Sequence, residues 1–197
     1  MRLLAVSDEV EPQLLDERTV AAQGRVDLVI GCGDLPADYL DALATVYGAP
    51  LVFVRGNHDP PDRQGDYLPA AEIDGRVVRE KGLLIAGLEG SIRYGDGAHQ
   101  YTERQMMAKV RALRVRLRLR RPDILITHGP PAGVNEGTDP PHKGLVAVRR
   151  AVESLRPQLL LHGHVHPYGR EITREGQLGE TRVINVVGHR LIELAPR

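Results

Sequence analysis

Residues 3–12 read LLAVSDEVEP. Leu3–Val6 is a short unbroken apolar run, the pattern of a strand covered on both faces, and it ends abruptly at Ser7-Asp8. Comparable runs recur at Val26–Ile30, Leu51–Val54, Leu83–Ala86, Ile124–Ile126 and Leu159–Leu161. Between several of them lie helix-like stretches, Pro12–Gln23, Pro36–Tyr47 and Lys143–Leu155. This alternation predicts an α/β protein built in layers. The clearest helix spans Glu103–Arg120. There Thr102 and Gln105 have capping-box spacing, Met106, Val110, Leu113 and Leu117 form one apolar stripe, and Pro122 stops the pattern. Beyond His166 the pattern changes to Arg170–Arg174, a turn at Glu175-Gly176, then Thr181–Val186 and Leu191–Leu194. These read as antiparallel strands, so mixed sheets are expected.

The 197 residues fit a single domain, residues 1–197, without repeats, linker or low-complexity segment. Twenty-six basic residues balance 26 acidic ones, so no global field draws the chain to nucleic acid or an anionic membrane. The arginines of the long helix, Arg111, Arg114, Arg116, Arg118, Arg120 and Arg121, lack interleaved aromatics and read as a solvated face. Strong nucleic-acid binding is not expected. One cysteine, Cys32, excludes an internal disulfide, and no apolar run is long enough to span a bilayer. With no basic-then-apolar leader at the N-terminus, a cytoplasmic location is the expectation.

The polar residues that follow the apolar runs carry the chemistry. Ser7-Asp8 follows the first; GCGD, ending in Asp34, follows the second; RGNHD, with Asn57, His58 and Asp59, follows the third. Ile124–Ile126 leads into THGPP with His128, and Leu159–Leu161 into HGHVH with His162, His164 and His166. Alone, each is a common turn or cap. Together, five strand ends would bring carboxylates, an amide and imidazoles into the crevice where α/β sheets place their sites. Such a cluster is costly unless something binds it, and a metal is the natural occupant. Carboxylate, amide oxygen and imidazole without thiolate suit Mn²⁺, Fe or Zn²⁺. The set exceeds one tetrahedral ion and suggests two metals about 3.5–4 Å apart that activate water for an in-line phosphoryl displacement.

Asp8, GCGD (31–34), GNHD (56–59), THGPP (127–131) and GHVH (163–166) resemble, in order and spacing, the signature blocks of the calcineurin-like metallophosphoesterases. The resemblance covers residues 7–166 and implies a four-layer αββα sandwich of two mixed β-sheets with a dinuclear centre in the loops at one edge. It implies Asp34 as the bridging ligand, Asn57, His128 and His164 around one metal, and Asp8 and His166 on the other. His58 would sit over the phosphate and protonate the leaving alkoxide, an imidazole being a suitable acid for that step. Asp59 would orient His58, or act only as a turn cap. The family's usual Asp-x-His is here Asp8-Glu9-Val10, and valine cannot ligate. The first metal site is therefore weaker, or labile, or completed by Glu9 or Glu11.

Further candidates are Arg55, as a phosphate contact or the partner of a carboxylate, and His142, in the loop GTDPPHKG, as a substrate contact. His162 reads as a buried supporting histidine, Cys32 as a small core residue, and His99 and His189 as surface or core residues. The expected function is a metal-dependent phosphoesterase, a hydrolase acting on a small phosphodiester through attack by metal hydroxide. The alternatives are a phosphomonoesterase of the same fold and a catalytically weakened, metal-stabilised binding scaffold. A homodimer is also an expectation for a chain of this kind.

Overall fold

The computed structural model describes residues 1–61, 71–168 and 173–195. The six apolar runs become strands β1 (Arg2–Ser7), β2 (Leu28–Gly31), β3 (Leu51–Phe53), β5 (Leu83–Leu88), β8 (Ile124–Thr127) and β9 (Leu159–His162). They are joined by β4 (Val77–Glu80), β6 (Ser91–Ile92), β7 (Gln100–Tyr101), β10 (Glu175–Leu178), β11 (Thr181–Asn185) and β12 (Gly188–Glu193). Helices α1 (Glu17–Gln23), α2 (Ala37–Tyr47), α3 (Glu103–Leu117) and α4 (Val146–Leu155) fill the connections.

One sheet has the order β12-β1-β2-β3, and the larger one β10-β11-β9-β8-β5-β4. In the first, β1, β2 and β3 are parallel and β12 runs antiparallel to β1. In the second, β11, β9, β8 and β5 are parallel, flanked by antiparallel β10 and β4. Both sheets are mixed, as expected. β6 and β7 form a separate parallel pair.

The six runs are continuously apolar because the strands they form are covered on two sides. Leu3, Ala5, Leu28 and Ile30 meet Ile85, Ile124, Ile126 and Leu161 in a core between the sheets. Their neighbours Leu4, Val6 and Val29 face outward onto Leu40 and Leu43 of α2. On the far side, Leu84, Leu125 and Leu160 pack against Met106, Val110 and Leu113 of α3 and Val148 and Val152 of α4. The resulting order, helix, sheet, sheet, helix, is the αββα sandwich, with period-2 alternation hidden inside apolar runs.

Helix ends depart from the sequence expectations for local reasons. Pro12–Gln23 divides into a 3₁₀ turn over Pro12–Leu15 and α1, with Asp16 extended between them. α3 has the predicted capping box at Thr102 and Gln105, but stops at Leu117 because Arg118 turns left-handed. α4 begins at Val146 rather than Lys143. Its first amides are capped from another helix: Glu103 of α3 accepts from Val146 N at 2.7 Å and Ala147 N at 2.8 Å. The turn expected at Glu175-Gly176 is instead strand β10, whose polar residues suit an exposed edge, and the chain reverses after Leu178. Of the strand expected over Arg170–Arg174, residues 170–172 lie outside the described residues. Arg111, Arg114, Arg116, Arg118, Arg120 and Arg121 are exposed, as a solvated face requires. Among the described residues no helix is long and apolar enough to cross a membrane.

Candidate metal centre

Because β1, β2 and β3 are parallel in one sheet and β8 and β9 in the other, their carboxyl ends open onto one rim. Asp8 follows β1, Asp34 lies three residues past β2, and Asn57 and His58 four and five past β3; His128 follows β8 and His164 lies two past β9. Asp8, Asp34 and His164 have positive φ angles of 64°, 58° and 69°. Backbone strain at three candidate ligands is the kind of outlier that accompanies functional sites.

His128 is fully buried and its surroundings define the site. Its Nδ1 donates to the Cys32 carbonyl at 2.8 Å, which turns Nε2 toward Asn57 Oδ1 at 3.0 Å and Asp34 Oδ2 at 3.2 Å. Both oxygens are acceptors, so a neutral ring would aim a third lone pair at them. Buried lone pairs converging in this way require a positive charge among them. Without a cation, a proton on Nε2 serves. Burial opposes the charged ring, but the hydrogen bond and charge of Asp34 prevail and raise His128 to about 9. Burial likewise works against the Asp34 carboxylate, yet His128 and the His58 amide lower it to about 2. A divalent ion would replace the proton, so the donor set fits one.

His164 completes this set. Asp34, His128 and His164 offer ligand atoms that all lie within 4.8 Å of one another. The His164 Nε2 donates to Pro141 O at 2.7 Å, leaving Nδ1 with its lone pair. Burial, reinforced by the His128 charge, pushes its pKa to about 3, so the ring stays neutral and able to ligate. Two backbone carbonyls thus fix two imidazole tautomers.

Asp8 and His166 lie next to this group. Asp8 Oδ2 accepts from Ser7 Oγ at 2.5 Å and His164 N at 2.9 Å, and Asp8 Oδ1 lies 3.7 Å from His166 Nε2. Val10 is 48% exposed. A second carboxylate, Glu9, stands at the other ring nitrogen of His166, with Oε1 3.4 Å from Nδ1. Glu11 is engaged elsewhere, by His189 Nδ1 at 2.9 Å and Gln13 Nε2 at 2.7 Å.

His58 is exposed, and its backbone amide donates to Asp34 Oδ1 at 2.8 Å. Its side chain borders a cavity of about 400 Å³ shared with Asp34, Asp59 and the apolar Leu35, Phe53 and Pro60. Asp59 Oδ2 accepts from Gly56 N at 2.6 Å and Asp34 N at 2.9 Å, tying together the loops after β2 and β3. Burial raises its pKa. Arg55 is buried, with Nε 3.5 Å from Glu72 Oε1 and Nη1 donating to Pro60 O at 3.2 Å. His142 does reach the site: its ring centroid lies 5.3 Å from that of His164, and Asp139 Oδ2 is 2.6 Å from its Nδ1.

His162 is fully buried against Gly163 O and Asn135 Nδ2, and burial lowers its pKa to about 4. Sequence reasoning read His99 only as a surface or core residue and passed over Tyr94. His99 bridges Glu89 Oε2 at 3.3 Å and Pro60 O at 3.0 Å, and Tyr94 Oη accepts from Asn57 Nδ2 at 3.0 Å. Neither carries a motif; both contacts arise from folding of the loop between β6 and β7.

These shifts predict a stability profile for the chain stripped by a chelator. His128 is raised from 6.5 to about 9, so its contribution, on the order of 3 kcal/mol, is complete below pH 6.5 and lost as pH climbs through 9. His162 and His164 are depressed, so their contribution is present above pH 6.5 and lost as pH falls toward 4 and 3. Thermal melts in chelator should peak near pH 6.5, and excess Mn²⁺ should flatten the alkaline limb. A chelated protein equally stable at pH 6.5 and 9.5 would contradict this account of His128.

Two packed mixed sheets with oxygen and imidazole donors converging at the carboxyl rim define a metallophosphoesterase architecture. The chain belongs to the calcineurin-like phosphoesterase superfamily, whose domain profile matches residues 1–188. This family normally binds divalent metals, and Asp34, His128 and His164 form a matching ligand group. TT1561 of Thermus thermophilus superposes with a TM-score of 0.68 at 18% identity, over 95% of this chain and 89% of that one. A hypothetical protein from the same organism gives 0.56 at 17% identity, over 95% and 76%. A single mutant of Vps29 from Entamoeba histolytica gives 0.51 at 14% identity, over 100% and 87%. At such identities the likeness concerns the fold alone. A comparison with proteins of curated function finds no match.

Proposed function

We propose that this protein is a metal-dependent phosphodiesterase acting on a small phosphodiester. The observation that carries the reading is the buried meeting of His128 Nε2, Asn57 Oδ1 and Asp34 Oδ2, an arrangement built to surround positive charge. Asp34, Asn57, His128 and His164 would hold one divalent ion; Asp8 and His166, with Asp34 shared, would hold a second. With valine at position 10, Glu9 is the extra carboxylate at hand: it stands 3.4 Å from His166 Nδ1, whereas Glu11 is drawn to His189. The donor types suit Mn²⁺, Fe or Zn²⁺. Such ions would supply Lewis acidity that polarises a phosphoryl oxygen and lowers the pKa of the attacking water.

The protein's own groups do the rest. His58 borders a cavity with room for the leaving group and can hand that group a proton. Asp59 fixes the loop that carries His58 by holding Gly56 N and Asp34 N. Arg55, clasped by Glu72 and Pro60 O, steadies the same loop from behind. His142, beside His164, bounds the opposite side and contacts the substrate. The mainly apolar cavity wall favours an organic group on the far side of phosphorus, hence a diester over a monoester.

The direct test compares hydrolysis of bis-p-nitrophenyl phosphate and p-nitrophenyl phosphate with added Mn²⁺ and with chelator. Metal-dependent turnover is expected with both, the diester being faster. A faster monoester would reassign the enzyme as a phosphomonoesterase, and turnover of neither would favour a metal-stabilised scaffold.

A further inference from the structure

Asn57 has two faces, and one is held by a residue outside every signature block. Its Oδ1 lies 3.0 Å from His128 Nε2, and its Nδ2 donates to Tyr94 Oη at 3.0 Å. An amide can ligate a cation only through oxygen, and a half-turn about χ2 would aim the NH₂ group at the ion instead. His128 faces the oxygen, and the acceptor at Tyr94 holds the productive orientation from the other side. Asn57 is 5% exposed, so its amide has little access to water as a substitute partner.

Tyr94 is itself held in position. It lies in the segment between β6 and β7, where Gln100 Oε1 accepts from Tyr94 N at 3.2 Å and Gly95 N at 3.0 Å. Gln100 is buried at the start of β7, and Arg93 N donates to Tyr101 O at 2.9 Å. The phenol therefore reaches Asn57 from a clamped loop, while Tyr94 remains 42% exposed at the surface.

We propose that Tyr94 is a positioning residue for the metal centre: its hydroxyl orients the Asn57 amide so that Oδ1 faces the ion. The inference rests on reading Asn57 as a ligand, but not on any hydrolytic activity. Tyr94→Phe removes one oxygen from a half-exposed ring, leaving the apolar contacts in place. Groups that orient metal ligands typically contribute about 10–100-fold to metal affinity.

The test is a double-mutant cycle read by Mn²⁺ affinity, using isothermal titration of the chelator-stripped full chain, with circular dichroism to verify folding. Tyr94→Phe is expected to weaken binding about tenfold. In the Asn57→Ala background the same change should have no further effect, because Tyr94 acts through that amide. Unaltered affinity in Tyr94→Phe would overturn the proposal, as would an equal loss with and without Asn57. Affinity changes that follow this pattern in a chain hydrolysing no phosphoester would uphold the role of Tyr94 and refute the phosphodiesterase reading.

Discussion

His58→Ala is expected to slow phosphodiester hydrolysis by about 10²–10⁴-fold when the leaving group is an alkoxide, and less when it is p-nitrophenolate. The difference follows from what the imidazole does. An alkoxide needs a proton to depart, whereas p-nitrophenolate leaves without one. The substitution should not disturb the metal centre, because the contact from residue 58 to Asp34 Oδ1 is made by the backbone amide at 2.8 Å, and alanine keeps that amide. The side chain is exposed, so stability should change by less than about 0.5 kcal/mol. Rates with alkyl and p-nitrophenyl diesters, together with metal content and a melting curve, check this. Undiminished turnover of the alkyl diester would remove His58 from the chemistry.

Gly56→Ala should be among the most damaging small substitutions. A Cβ at residue 56 would lie 2.0 Å from Asp34 Oδ1, 2.5 Å from its Cγ and 2.7 Å from His128 Cε1. No rotamer relieves this, since Asp34 Oδ1 is held by His58 N, Asp34 Oδ2 faces His128, and Asp59 ties Gly56 N to Asp34 N. Either the loop after β3 or the Asp34 carboxylate must move. We expect a stability loss of about 1–3 kcal/mol, as for other overpacked sites, and metal affinity reduced at least about tenfold. Denaturant midpoints and metal titration would show it. Wild-type affinity in this variant would mean that Asp34 is not a ligand.

Much of this was legible in the sequence because the physics is local. Leu3–Val6 or Ile124–Ile126 can be continuously apolar only where both faces are covered, and the polar residue after each run marks the rim. β4 was not legible: Val77–Glu80 is a partly polar edge strand, and two-residue β6 and β7 carry no period. The reversal after β10 was misplaced because a glycine within Glu175–Leu178 reads as a turn, although the ladder with β11 extends it.

The site divides in the same way. Asp34, Asn57, His128 and His164 stand in motifs tied to strand ends. Glu9 and Glu11 could not be separated by sequence, since the choice depends on His189, far away on β12, drawing Glu11 aside. Asp59 likewise contacts Asp34 across the gap between two loops. Tyr94 is known only through the fold of its loop.

The central claim is that the rim gathers these donors around divalent ions. The measurement that addresses it most directly is elemental analysis of metal per folded chain after dialysis against Mn²⁺ and gel filtration, for the wild type and His128→Ala. The account predicts two equivalents in the wild type, with the ion held by His128 lost in the variant; a folded wild-type chain that elutes free of metal would contradict it.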